Sequence, residues 1–192
     1  MTHSYSRPNY SRRNFLTAAI AVATAGSIGG FISRKAQATE KAKDVWIVTF
    51  SPNGVRTGRV QVPKIIKTDA QWRAQLSEES FEVARHAGTE RPFSGKLLNE
   101  HRAGIFQCIC CGTALYDAHT KFDSGTGWPS FYQPIAEENI TKTDDFTLGM
   151  ERTAVSCTRC DAHLGHVFTD GPKPTGLRYC MNSVALSFAP HA

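Results

Sequence analysis

Six cysteines mark the places where this 192-residue chain could do chemistry. Cys108-x-x-Cys111 and Cys157-x-x-Cys160 form two pairs with 45 residues between them. A C-x-x-C turn lets two thiolates converge on one metal, and two such knuckles complete a tetrahedral sulfur shell for zinc. Gly112, directly after the first pair, suits the tight turn a knuckle needs. Two disulfides are the alternative in an exported chain, and iron takes the same four ligands. Paired knuckles favour a metal, with zinc as the expected one. Four thiolates close its coordination shell, whereas catalytic zinc usually keeps one position for water. The metal is therefore expected to be structural, and the chemistry has to lie elsewhere.

Two cysteines remain, Cys110 and Cys180. Cys110 sits inside the first knuckle and has no assigned role. Cys180 has Arg178 two residues before it and Asn182 two residues after, so on a strand all three side chains share a face. A thiol at neutral pH is mostly protonated, and a nearby cation with hydrogen-bond donors would lower its pKa and make it a nucleophile. His163 and His166 lie just upstream. Taken singly, Cys180 reads as a small buried hydrophobe and each histidine as an ordinary imidazole. Together they point to redox chemistry on sulfur.

The elements that have to position these groups are short. Val45 to Phe50 and Val55 to Ile66 are β-prone runs flanking Pro52-Asn53-Gly54, which predicts a hairpin. Thr68 and Gln71 have capping-box spacing and open a short helix with Trp72 and Leu76. Ser77 opens a second, with Phe81, Ala84 and Arg85 at helical spacing, ending near Gly88. The rest is short β-prone pieces broken by Gly, Pro and Asp, with no long helical period.

The first 38 residues are of a different kind. Ser11-Arg12-Arg13-Asn14-Phe15-Leu16 is a twin-arginine motif, an apolar run follows, and Ala36-Gln37-Ala38 has the pattern of a cleavage site. The apolar run is too short and too rich in Gly and Thr for a membrane span. Residues 1–38 are therefore expected to be a Tat signal peptide, which implies the Tat translocase as a partner and a periplasmic or other extracytoplasmic destination. The chain carries +5, but five of its 22 basic residues and none of its 17 acidic ones lie in this leader. The mature protein is thus formally neutral, and no basic face is left to suggest nucleic acid.

Five ordered strings resemble the peptide-methionine (R)-S-oxide reductases: Gly88-Thr-Glu-Arg-Pro-Phe-Ser-Gly95, Lys121-Phe-Asp-Ser-Gly-Thr-Gly-Trp-Pro-Ser-Phe131, His163-Leu-Gly-His-Val-Phe168, Asp170-Gly-Pro172 and Gly176-Leu-Arg-Tyr-Cys180. With the knuckles between them, the likeness runs from about Lys67 to Phe188. It implies a mainly β fold, a β-tent of two small antiparallel sheets with short N-terminal helices and one structural zinc on Cys108, Cys111, Cys157 and Cys160. Together with the leader at 1–38 and the extension with the hairpin at 39–66, both read from the residues above, it leaves a catalytic domain at 67–190. It implies that Cys180 is the nucleophile, that His163, His166 and Asn182 bind the substrate oxygen and support proton transfer, that Arg178 stabilises the thiolate, and that Trp128 packs the substrate methyl. The substrate would be oxidised proteins or peptides containing methionine sulfoxide, and an external, thioredoxin-like thiol would restore the enzyme.

Two positions depart from the family pattern. Thr126 stands where many members carry a second, resolving cysteine, and Met181 follows the nucleophile where a β-branched residue is common. Two other readings compete: a zinc-ribbon module that docks protein or RNA, and a disulfide-exchange protein, which would need a metal-free C-x-x-C pair.

Overall fold

A computed structural model of the chain describes residues 43–146 and 152–191. The expected leader at 1–38 lies outside the described residues. Chain order runs β1 (Asp44–Phe50), β2 (Arg56–Pro63), α1 (Asp69–Arg73), α2 (Glu78–His86), β3 (Gly104–Cys108), β4 (Ala114–Asp117), β5 (Lys121–Phe122) and β6 (Ser130–Phe131). It continues with β7 (Ile140–Asp145), β8 (Arg152–Cys157), β9 (His163–Phe168), β10 (Arg178–Met181) and β11 (Leu186–Pro190).

The hairpin forms as the turn residues predict: Gly54 takes φ +75°, and β1 pairs antiparallel with β2. It is stitched to the domain by Asn139, a fully buried amide. Its Oδ1 accepts from Val48 N–H at 2.7 Å, while Nδ2 donates to Val48 O and Ala114 O. Each bond satisfies a group that burial would otherwise strand.

Both helices start where the caps place them. In α1 the Thr68 hydroxyl accepts from Gln71 N–H and the Gln71 side chain accepts from Thr68 N–H, and the helix buries Trp72. Helix α2 is capped by Ser77 and buries Phe81, Val83 and Ala84. Its end differs in detail from the expectation. Ala87, not Gly88, takes the left-handed conformation. Gly88 serves another need, because a Cβ there would lie 3.0 Å from Glu82 O.

The strands of the domain form two antiparallel sheets, as the resemblance implied, and the hairpin is a third. One sheet has six strands in the order β5-β6-β10-β9-β8-β7, and the other three, β11-β3-β4. Between them lies an aromatic core in which Tyr116 stacks on Phe131 at 4.4 Å and donates to Met181 Sδ at 3.1 Å. Met181 and Tyr179 point into that core, so β10 turns Arg178 and Cys180 to the other face. Strand alternation thus orients the thiol.

Candidate active site

The two C-x-x-C knuckles bring loops from distant parts of the chain together. Gly112 (φ +71°) and Asp161 (φ +57°) take the left-handed turn after each pair, and their N–H groups donate to Cys108 O and Cys157 O. Asp is one of the few residues that tolerates this conformation. The four Sγ atoms lie within 4.8 Å of one another, with 3.6 Å separating Cys108 from Cys160 and Cys111 from Cys157. A tetrahedral zinc with bonds of about 2.3 Å requires sulfurs about 3.8 Å apart, so the cluster fits the ion. None of the six cysteines is joined in a disulfide, and four of the sulfurs converge as ligands of one ion would. The second knuckle is braced from outside: Arg85 donates to Cys160 O, Ile65 N–H to Arg159 O, and Lys64 pairs with Asp161.

Cys180 sits in the middle of the six-stranded sheet, paired with Ser130 on β6 and His166 on β9. Met181 faces Gly165, and a Cβ on Gly165 would fall 2.1 Å from Cys180 O. Only glycine lets the two strands close at the thiol. A small open cavity of about 130 Å³ brings together Cys180, Trp128, His166, Asn182, Arg152 and Thr89. Trp128 lines this space, and its Nε1–H donates to Glu90 O at 3.2 Å. A cavity with an aromatic wall and a sulfur at its base suits a small apolar group next to a polar one.

Several expected roles look different once the partners are visible. Arg178 donates from Nε and Nη2 to both carboxylate oxygens of Asp170, at 2.9 and 2.8 Å. It does attract a thiolate on Cys180, as do the Thr126 and Ser130 hydroxyls, but burial outweighs them and the thiol is pushed up from its ordinary value. Desolvation of the charged form thus works against the activation that the spacing alone suggests. His163 does not line the cavity. It is buried, its Nε2 has no partner among the described residues, and burial together with the neighbouring His166 lowers its pKa to about 4. It is therefore neutral at pH 7. His166 is the imidazole at the cavity, and its Nε2 lies 2.8 Å from Asp145 Oδ2, which Arg152 also engages at 3.0 Å. Asn182 borders the cavity, but its Oδ1 accepts from Glu90 N–H and its Nδ2 donates to Leu164 O.

The residue that sequence reasoning missed is Glu90. It is 3% exposed, and its carboxylate accepts from Ser183 N–H at 2.7 Å and Val184 N–H at 2.9 Å. Its backbone meanwhile holds Trp128 and Asn182. Its string, Gly88 to Gly95, stands out in the sequence, but nothing in the string shows that one residue joins both walls of the cavity. Asp145 and Arg152 lie in stretches without a recognisable motif. Thr126 is where the departure becomes geometric: its Oγ1 lies 3.9 Å from Cys180 Sγ, and it continues through Ser124 to Ser130 in a chain of hydroxyls at 2.8 and 2.7 Å.

Comparison with known proteins agrees with this geometry. The family model of the SelR domain matches residues 76–190. A Pseudomonas putida F1 protein is 60% identical over 127 residues, which cover 66% of this chain and 97% of the relative. A Herminiimonas arsenicoxydans protein is 55% identical over 125 residues, 65% of this chain and 91% of its own length. A protein of Pseudomonas aeruginosa PAO1 is 55% identical over 127 residues, covering 66% and 96%. All three are named peptide methionine sulfoxide reductase MsrB. With the family model spanning more than half of the chain and these relatives matched along almost their whole length, the chain belongs to the SelR-domain (MsrB) family.

Proposed function

We propose that this protein reduces the R epimer of methionine sulfoxide in polypeptides and acts outside the cytoplasm as a repair enzyme. The observation that carries the reaction is one cavity in which Cys180 lies beside Trp128 and His166, in a chain of a methionine sulfoxide reductase family. The sulfoxide's methyl packs on Trp128 and its sulfur faces Cys180 Sγ. The Cys180 sulfur attacks the sulfoxide sulfur, the S–O bond breaks, and the oxygen passes to cysteine. Methionine and a Cys180 sulfenic acid result, so thiol plus sulfoxide balances thioether plus sulfenic acid. Because burial keeps the resting thiol protonated, the proton needed on the oxygen is present in the complex. His166, anchored by Asp145, is the group through which it moves. Two external thiols then return Cys180 to the thiol, yielding a disulfide and water.

The four-cysteine cluster would hold one zinc through Cys108, Cys111, Cys157 and Cys160. The ion would supply a cross-link between the two knuckles, and no step of the reaction needs it. Export through the Tat route is supported by Arg12-Arg13 and Ala36-Gln37-Ala38.

The test is an assay with the separated R and S epimers and dithiothreitol as reductant. Reduction of R alone, lost in Cys180→Ser with the fold retained, is the expected result. Full activity in Cys180→Ser would end the proposal. For export, changing Arg12 and Arg13 to Lys should leave the precursor in the cytoplasm, and unaffected export would refute that part.

A further inference from the structure

We infer that Thr126 is a catalytic residue of this protein: its hydroxyl turns from accepting the Cys180 S–H to donating to the sulfur as the thiol gives up its proton. The inference rests on the reductase reading above. Thr126 Oγ1 lies 3.9 Å from Cys180 Sγ, within reach of a hydrogen bond to sulfur. Two other polar side chains beside the thiol are already engaged. Arg178 closes its fork on Asp170, and Asn182 uses its amide on Glu90 N–H and Leu164 O.

The loop that carries Thr126 is pinned on both sides of it. Gly125 N–H donates to Asp123 Oδ1 at 2.9 Å, and Phe93 N–H donates to Gly127 O at 2.8 Å. Gly127 permits this close approach, because a Cβ there would lie 2.8 Å from Phe93 N. Further along, Met181 N–H donates to Pro129 O at 2.9 Å, which ties the loop to the residue after Cys180. Backbone contacts thus hold the Thr126 hydroxyl beside the sulfur.

The direction of that hydroxyl follows from counting protons. The Trp128 carbonyl can only accept, and it takes a hydrogen bond from Ser130 Oγ at 3.1 Å. With its one proton used there, Ser130 accepts from Ser124 at 2.7 Å, and Ser124 accepts from Thr126 at 2.8 Å. Thr126 then has no proton left for Cys180, and it accepts from the S–H. This arrangement serves the protonated thiol. Once the thiol proton leaves through His166, the sulfur can only accept, and the row of hydroxyls turns over. Thr126 donates to the sulfur, Ser124 to Thr126 and Ser130 to Ser124, and no proton changes owner along the row. The row gives up the neutral bond to Trp128 O and the weak one from S–H. It gains a hydrogen bond to an anion, roughly twice as strong as a neutral one. The Thr126 hydroxyl is also the strongest attraction on a Cys180 thiolate, ahead of Arg178 and Ser130.

Thr126→Val removes the hydroxyl and keeps the shape, whereas Thr126→Ser keeps the hydroxyl. Two rates are read across pH on the intact protein. One is iodoacetamide alkylation of Cys180, located by peptide mass spectrometry. The other is methionine release from N-acetyl-methionine-(R)-sulfoxide methylamide in a single turnover without reductant. At pH 7 Thr126→Val should be about tenfold slower than the wild type in both, the lower end of what one hydrogen bond to a charged group supplies. The gap should close as pH rises, because a thiol ionised by the solution no longer needs the donor. Thr126→Ser should recover most of the rate, and Thr126→Ala, with no second methyl to crowd the sulfur, should show the same pH dependence as Thr126→Val. The charged and titratable groups facing the thiol are Arg178 on its own strand, His166 on β9, Arg152 on β8 with Asp145 on β7, and Asp123 in the loop. None of them changes across the series, so the difference in pH profile reports residue 126. A loss equal at every pH would overturn the inference, because Thr126 would then act on the shape of the site. So would a Thr126→Val protein as fast as the wild type at pH 7. A wild type that reduces no sulfoxide is a separate failure: it refutes the reductase reading, while the alkylation series still decides the Thr126 contact.

Discussion

Glu90→Ala removes a carboxylate on which two backbone N–H groups converge, Ser183 at 2.7 Å and Val184 at 2.9 Å. Hydrogen bonds to a charged acceptor contribute about 1.5–3 kcal/mol each, and a buried donor left without a partner costs about 1–3 kcal/mol. The ionised carboxylate is itself held in a 3% exposed position, and that burial raises its pKa, which offsets part of the gain. The net expectation is a loss of about 2–4 kcal/mol, read by urea denaturation. Glu90→Gln keeps the shape but turns an amide N–H toward one of the two donors, so it should lose about half as much. The pH dependence has a definite sign. The folded-state pKa of Glu90 lies above the unfolded value, so the native state binds the proton more tightly. The stability of the wild type relative to Glu90→Gln should be greatest below the ordinary carboxylate pKa and should fall as pH rises toward neutrality. Because the Glu90 backbone also holds Trp128 and Asn182, Glu90→Ala should raise KM more than it lowers kcat. Unchanged stability in Glu90→Ala, or a pH trend of opposite sign, would refute the reasoning.

Turnover without reductant should leave a sulfenic acid on Cys180 that dimedone captures, because Thr126 cannot resolve it. Thr126→Cys should instead give a disulfide between the introduced thiol and Cys180, given the 3.9 Å between Thr126 Oγ1 and Cys180 Sγ; a Cys110–Cys180 disulfide in the wild type would refute the expected sulfenic acid. The two histidines should separate kinetically: His166→Ala should lower kcat by about 10²-fold through lost proton transfer, whereas His163, with a pKa of about 4, should contribute no titration to the rate profile near neutral pH. An inflection there that His163→Gln abolishes would contradict its assignment. Iodoacetamide should label Cys180 more slowly at pH 7 than an unhindered cysteine and speed up with pH, since burial raises the thiol's pKa. Elemental analysis should find one zinc per chain, and Cys157→Ser should lose most of the soluble protein, because metal binding is part of the folding free energy.

Whatever depends on neighbours along the chain, or on the identity of a motif, is legible in the sequence of this protein. The Thr68 and Ser77 caps, the Pro52-Asn53-Gly54 turn and the two knuckles are local, and each stands where its residues place it. The alternation that turns Cys180 away from the core while Tyr179 and Met181 face it is legible too, because a strand has period two. What those side chains meet is settled only by the packing of distant segments. Arg178 is neighbour to Cys180 in sequence, yet its fork closes on Asp170. His163 and His166 are three residues apart, yet one is buried and neutral while the other reaches the cavity and Asp145. Glu90 meets Ser183 across 93 positions, a contact no local pattern encodes. The pKa of Cys180 departs from the sequence expectation for the same reason. Charge proximity can be read from spacing, but desolvation is set by everything packed around a group, and here it is the larger of the two.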